Sequence, residues 1–198
     1  MTLPHDLSRA LDPEEVNALP IRRYEGEVHL VATREEMAHA AADFAHEPVV
    51  GFDTETRPSF RVGESHPAAL AQVATARAVY LFRLRHLDFA ALLGELISSK
   101  TTVKAGVGLS EDLRQLRKSF AFEPAAIVDL GAVARRHKLE KSGVRSLAAL
   151  FLGFRVPKGA KTSNWAARQL SRQQIAYAAT DAWVCRELYL AFEKLGLL

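Results

Sequence analysis

The sequence predicts an α/β protein, with helical layers around one mixed β-sheet. Three observations point there. The run Val49-Val50-Gly51-Phe52 is apolar or small at every position, as in a strand buried on both faces. Strand-like segments come first and are then mixed with helix-like ones, which favours layered packing. Two helix-like segments open with a capping box, Thr33 with Glu36 and Ser171 with Gln174. At 198 residues the chain suits one domain with a single good core.

In chain order, residues 1–26 carry Pro4, Pro13 and Pro20 among mixed charges without a clear period. They read as an extended N-terminal arm with room for one short helix near Pro13-Glu14-Glu15, and 27–198 read as the domain proper. Glu27 to Ala32 is a first strand, and the Ala-rich run from Thr33 to about His46 is helical. The Val49 strand ends in Asp53-Thr54-Glu55. A loop with Pro58, Gly63 and Pro67 follows. Residues 69–75 and 78–82, split by a short polar turn, form a hairpin. Phe89 to Ile97 is a helix, and the β-branched Thr101-Thr102-Val103-Lys104 is a short strand ending at Ala105-Gly106. Ser110 is placed to cap a helix carrying Asp112, Leu113 and Leu116. Residues 126–129 form a strand, followed by a helix to about His137. Val144 to Leu152 is helical and stops at Gly153. A basic loop over 155–164 leads to the last helix, from about Ser171 to near the end.

Composition narrows the class. With 48% hydrophobic and 25% charged residues, the chain is neither disordered nor membrane-like. No apolar stretch approaches the ~18 residues of a membrane span. The first residues lack the basic-then-apolar layout of a signal peptide. A single cysteine, Cys185, rules out an internal disulfide and fits a cytoplasmic location. A net charge of +3 permits a nucleic-acid partner without demanding one.

Against this mildly basic background, acids gather at particular places. Asp53 and Glu55 are two apart on a strand and so face the same way. Like charges that close repel, and each tends to stay protonated unless a cation lies between them. Two solvated acids where a strand meets a loop would explain the pair equally well. Tyr177 and Asp181 are four apart on the last helix and share a face, although an ordinary amphipathic helix accounts for that. Asp112 follows Gly106-Val107-Gly108 in the first turn of a helix, where acids complement the dipole. Glu111 beside it is equally acidic, and spacing alone does not choose between them. Asp129 reads as structural.

Together, Phe52-Asp53-Thr54-Glu55, Lys104-Ala105-Gly106-Val107-Gly108 leading to Asp112, and Tyr177-Ala178-Ala179-Thr180-Asp181 resemble the DEDD superfamily of 3′–5′ exonucleases. The tyrosine four before the last aspartate is similar to the tyrosine-bearing branch; the histidine-bearing branch needs His where this chain has Ala176. Ser163-Asn164-Trp165, ahead of Gln174 and Tyr177, is similar to the Werner-type and RNase D exonuclease domains. The likeness spans roughly residues 28 to 195.

The resemblance implies a ribonuclease H-like fold and a two-metal site for Mg²⁺ or Mn²⁺, held by Asp53, Glu55, Asp112 and Asp181. Within the family Asp53 bridges both ions, Glu55 and Asp181 favour one, and Asp112 supports the other. Chemistry agrees, since an all-oxygen donor set suits hard cations and no Cys/His cluster competes for zinc. Two ions about 3.5–4 Å apart stabilise the attacking and leaving oxygens of an in-line displacement. Tyr177 would orient the attacking water, because a free tyrosine, with a pKa of about 10, is a poor base at neutral pH.

The expected substrate is the 3′ end of single-stranded or frayed DNA or RNA. Expected contacts are Lys158 and Lys161 as cations, Trp165 as a stacking ring or a core residue under the last helix, and Arg168, Arg57 and Phe60. Thr56-Arg57-Pro58 departs from the Werner-type pattern, which places an aromatic there. Two rivals stand beside this expectation: a strict RNA-processing exoribonuclease, and a catalytically silent nucleic-acid-binding module of the same fold. The sequence does not predict an oligomeric state.

Overall fold

A computed structural model describes residues 9–59, 64–85, 87–159 and 162–198. Its organising element is β2 (Val49–Thr56), interior in a six-stranded sheet. The other strands are β1 (Glu27–Val31), β3 (Ala68–Ala74), β4 (Ala78–Arg83), β5 (Val103–Gly106) and β6 (Ile127–Asp129). Their order is β1-β4-β3-β2-β5-β6. The β2–β3 and β3–β4 pairs are antiparallel, whereas β1–β4, β2–β5 and β5–β6 are parallel. This is the mixed sheet the sequence predicts.

The register of β2 creates the place for a site. Its pairing with β5 covers Val49 to Gly51, while its pairing with β3 runs on to Thr56. The last residues of β2, carrying Asp53 and Glu55, therefore outrun the neighbouring parallel strand. The chain leaves β5 there through Gly108 and enters α4 (Leu109–Leu116). A crevice opens at the carboxyl end of these strands, where ligands bind in open α/β sheets.

Both faces of the sheet are covered. Alternation along β4 sends Tyr80 and Phe82 to one face, with Phe44 of α2 (Arg34–Phe44) and Leu93 of α3 (Ala90–Ser98). Val79 and Leu81 go to the other face, with Leu70, Trp165, Ala178 and Ala182. The last two belong to the long helix α7 (Arg172–Lys194), which crosses β2, β3 and β4. The crossing is close: a Cβ on Gly51 would collide with the carbonyl oxygen of Ala182. A third cluster joins α7, through Leu188 and Phe192, to α5 (Leu130–Arg136) and α6 (Val144–Leu147).

Both expected capping boxes form, at Thr33/Glu36 and Ser171/Gln174. Three local expectations need correction. α4 starts two residues earlier than a Ser110 cap allows, because Gly108 adopts φ 83° and turns the chain into the helix itself. Strand β5 begins at Val103 rather than Thr101. The helix over 144–152 is α-helical only to Leu147, then widens into a π-helical turn over Ala148–Leu152 before Gly153 at φ 68° ends it.

Residues 9–26 are not a free arm. The short helix α1 (Pro13–Ala18) has its own capping box from Asp12 and Glu15. Beyond it, Ile21 bridges to Arg155, and Arg22 N donates to Arg155 O at 3.1 Å. Tyr24 N donates to Thr180 Oγ1 of α7 at 3.1 Å, and its ring lies 6.0 Å from Trp183. No helix among the described residues is long and apolar enough to cross a membrane.

Candidate active site

Strand alternation and helix periodicity converge on one point. Asp53 and Glu55 leave the same face of β2, and α7 crosses that face with Tyr177 and Asp181 one turn apart. Carboxylate oxygens of Asp53, Glu55 and Asp181 all lie within 4.8 Å of one another, the only such trio among the described residues. Asp181 is 7% exposed and Glu55 8%, so neither is the solvated surface acid that its sequence position alone would allow.

Asp112 stands beside the trio, on the wall of the same cleft. Its Oδ1 accepts a 2.6 Å hydrogen bond from Thr54 Oγ1. Glu111, the neighbour that spacing could not separate from it, also lines the cleft but is tied to Arg114 at 2.7 Å. The cleft measures about 530 Å³ and is also bordered by Tyr177, Cys185, Gly108, Arg145 and Ser146.

Burying like charges has a clear electrostatic consequence. Burial first, then the charges of Asp112, Asp181 and Glu55, push the Asp53 carboxyl well above the usual range, against a hydrogen bond from the Thr54 backbone. Asp112 is raised to about 6, mainly by burial, with the Thr54 hydroxyl pulling the other way. Burial, then Asp181 and Glu55, raise Tyr177, whose hydroxyl is hydrogen-bonded to Asp181. Tyr177 therefore stays a phenol and donates. Cys185 is buried at the cleft and its thiol is pushed up by burial and the same acids.

Such a cluster demands positive charge. All its donors are oxygens, and its members resist ionising together, so the residues fit a divalent cation. A neutral donor also steadies the centre. Gln72 of β3 is fully buried opposite Asp53, and the amide orientation that satisfies both partners donates to Asp53 Oδ2 at 3.3 Å and to its carbonyl at 3.0 Å.

The expected substrate contacts fare unevenly. Trp165 is corrected: at 1% exposure it packs against Leu70, Leu81 and Ala178, and its ring has no face to offer a base. The Ser163-Asn164 stretch beside it acts as a staple, since Gln174 Nε2 donates to Ser163 Oγ at 3.0 Å and to Asn164 O at 3.2 Å. Arg168 is exposed, its backbone carbonyl held by the Arg83 guanidinium. Arg57 is exposed just past β2. Lys161 and Phe60 lie outside the described residues. Sequence reasoning missed Thr54, Gln72 and Arg145. It missed Cys185 as well, although its place four residues after Asp181 on the last helix was a signal that could have found it.

With this geometry in hand, comparison with known proteins is direct. The 3′–5′ exonuclease family model matches residues 28–196. The exonuclease mut-7 homolog of Aedes aegypti is 28% identical over 92% of this chain and 28% of its own length. The bifunctional 3′–5′ exonuclease/ATP-dependent helicase WRN of Mus musculus is 33% identical over 75% of this chain and 11% of its own. The crystal structure of the Aedes aegypti Nibbler EXO domain superposes with a TM-score of 0.76 at 28% identity, covering 89% of this chain and 92% of that one. The chain belongs to the 3′–5′ exonuclease family and has the ribonuclease H-like fold. It spans about a quarter of the length of the first curated relatives, at 28% and 23%.

Proposed function

We propose that this chain is a divalent-metal-dependent 3′–5′ exonuclease that hydrolyses single-stranded or frayed 3′ ends and releases nucleoside 5′-monophosphates. The observation that carries this is the convergence of Asp53, Glu55 and Asp181 in one cleft beside a tyrosine that stays protonated. Two ions, Mg²⁺ or Mn²⁺, would be held by Asp53, Glu55, Asp112 and Asp181. When bound, they would neutralise phosphodiester charge and activate the attacking water.

The remaining chemistry belongs to the chain. The Tyr177 hydroxyl, which donates to Asp181 in the metal-free protein, would turn to orient the attacking water once Asp181 holds a cation, and would not remove that water's proton. Thr54 holds the Asp112 carboxylate and Gln72 holds that of Asp53, so ligand orientation is set before substrate arrives. Arg57 and Arg168 serve as exposed phosphate contacts, and Lys161 is kept in that role from its sequence position.

The test is digestion of matched 5′-labelled single-stranded DNA and RNA with Mg²⁺ or Mn²⁺, beside Asp53→Ala and an EDTA control. A metal-dependent ladder shortening from the 3′ end, absent in Asp53→Ala, is expected. No cleavage of either strand, with binding intact, would leave a silent binding module instead.

A further inference from the structure

A second cleft, of about 370 Å³, lies against the first and shares Tyr177 as a wall. Its chemistry is the reverse. Asp53, Glu55, Glu111, Asp112 and Asp181 line the first cleft, whereas the second has no carboxylate in its lining and three cations, Arg23, Lys158 and Arg172. All three are exposed, and none is in an ion pair among the described residues.

These cations come from three separate parts of the chain: the segment before β1, the loop after the π-helical turn, and the first turn of α7. Arg23 is not on a loose tail. Its neighbour Arg22 is bonded to the Arg155 backbone, and Tyr24 to Thr180 of α7, so the residue between them is pinned over the cleft. The loop is pinned as well, because Gly159 sits so close to the Tyr177 ring that a Cβ there would overlap it. Tyr177 is thus the ridge between an acidic cleft and a basic one.

We propose that the basic cleft holds backbone phosphates of the single strand on the 5′ side of the bond being cut. The segment ahead of β1 is then part of the substrate site, through Arg23. The inference rests on the exonuclease reading above. A strand whose 3′ end enters the acidic cleft finds only Arg145 as a cation on its border, and three exposed cations with no carboxylate among them lie just across Tyr177 to take its next phosphates. Cations that track a phosphate backbone bind single strands without reading sequence, so the class of ligand is single-stranded nucleic acid of either sugar.

The experiment uses the full chain and its Arg23→Glu, Arg172→Glu and Arg23→Lys variants. One arm follows fluorescence anisotropy of 5′-labelled strands in EDTA, where no cleavage occurs; the other follows kcat and KM with Mn²⁺ on strands of two to twelve nucleotides. Binding of twelve-mers should weaken about tenfold in each Glu variant, and each lost phosphate contact should lower the slope of log affinity against log salt by about 0.7. KM should rise with a loss that grows with strand length, and Arg23→Lys should restore most of it. Affinity and KM equal to wild type in both Glu variants would overturn the inference, as would a loss independent of length. Wild-type protein that binds strands in EDTA, with affinity lost in Arg23→Glu and Arg172→Glu, but never cleaves would overturn the exonuclease reading and leave the basic cleft standing.

Discussion

At the scale of single residues, the centre works by holding charge the fold would otherwise disfavour. The raised Asp53 carboxyl binds a proton more tightly folded than unfolded, so its ionisation at neutral pH destabilises the metal-free protein. Asp53→Asn should therefore abolish cleavage yet raise the unfolding midpoint in EDTA, by roughly 2–4 °C for each kcal/mol relieved. An unchanged or lowered midpoint would count against the electrostatic account. Asp112, raised to about 6, must lose its proton before it can help hold a cation. Apparent Mn²⁺ affinity should fall as pH drops through that value, and calorimetric titrations at pH 5, 6 and 7 would read it. Tyr177→Phe keeps the ring and removes the donor; single-turnover rates at saturating metal should drop about 10–100-fold, in the range typical of a lost hydrogen-bond partner beside a metal ligand. A full rate would end that role for Tyr177.

At the scale of elements, the site depends on how closely α7 lies on β2. Gly51→Ala forces the helix backbone away from the strand, and overpacking of this kind typically costs about 1–3 kcal/mol. Because Tyr177 and Asp181 ride on that helix, urea unfolding should show the stability loss and the cleavage rate should fall with it. Much at this level was legible in advance. Capping boxes at Thr33 and Ser171 are local chemistry, and the Asp53/Glu55 and Tyr177/Asp181 spacings follow from strand and helix periods. Other features were not, for physical reasons. Trp165 carries the same signal whether it stacks or packs, and only the fold decides. Gly108 takes over the α4 start from Ser110 because of a left-handed φ that the sequence allows but does not require. Thr54 and Gln72 reach their partners across strands and helices, and so left no spacing pattern to read.

At the scale of the molecule, the sheet places opposite demands at different points. Away from the crevice, Lys104 on β5 is 1% exposed and donates to Ser99 O at 2.6 Å and Thr102 O at 2.7 Å. Burial lowers its pKa to about 8 from 10.5. The unfolded chain holds that proton to higher pH, so stability from this group should rise between about pH 8 and 10.5. Urea unfolding at pH 7.5 and 10 should show that rise diminished in Lys104→Met. At the crevice the burden is larger and is offset only by bound cations, which is the central claim of this account. Its most direct measurement is the unfolding midpoint of wild type and Asp53→Asn, each in EDTA and in excess Mn²⁺. Binding at a hundredfold over Kd stabilises by about 2.7 kcal/mol. The account predicts a marked Mn²⁺-dependent rise in wild type, starting from the lower metal-free midpoint, and little or none in Asp53→Asn. Equal Mn²⁺ shifts in the two proteins would contradict it.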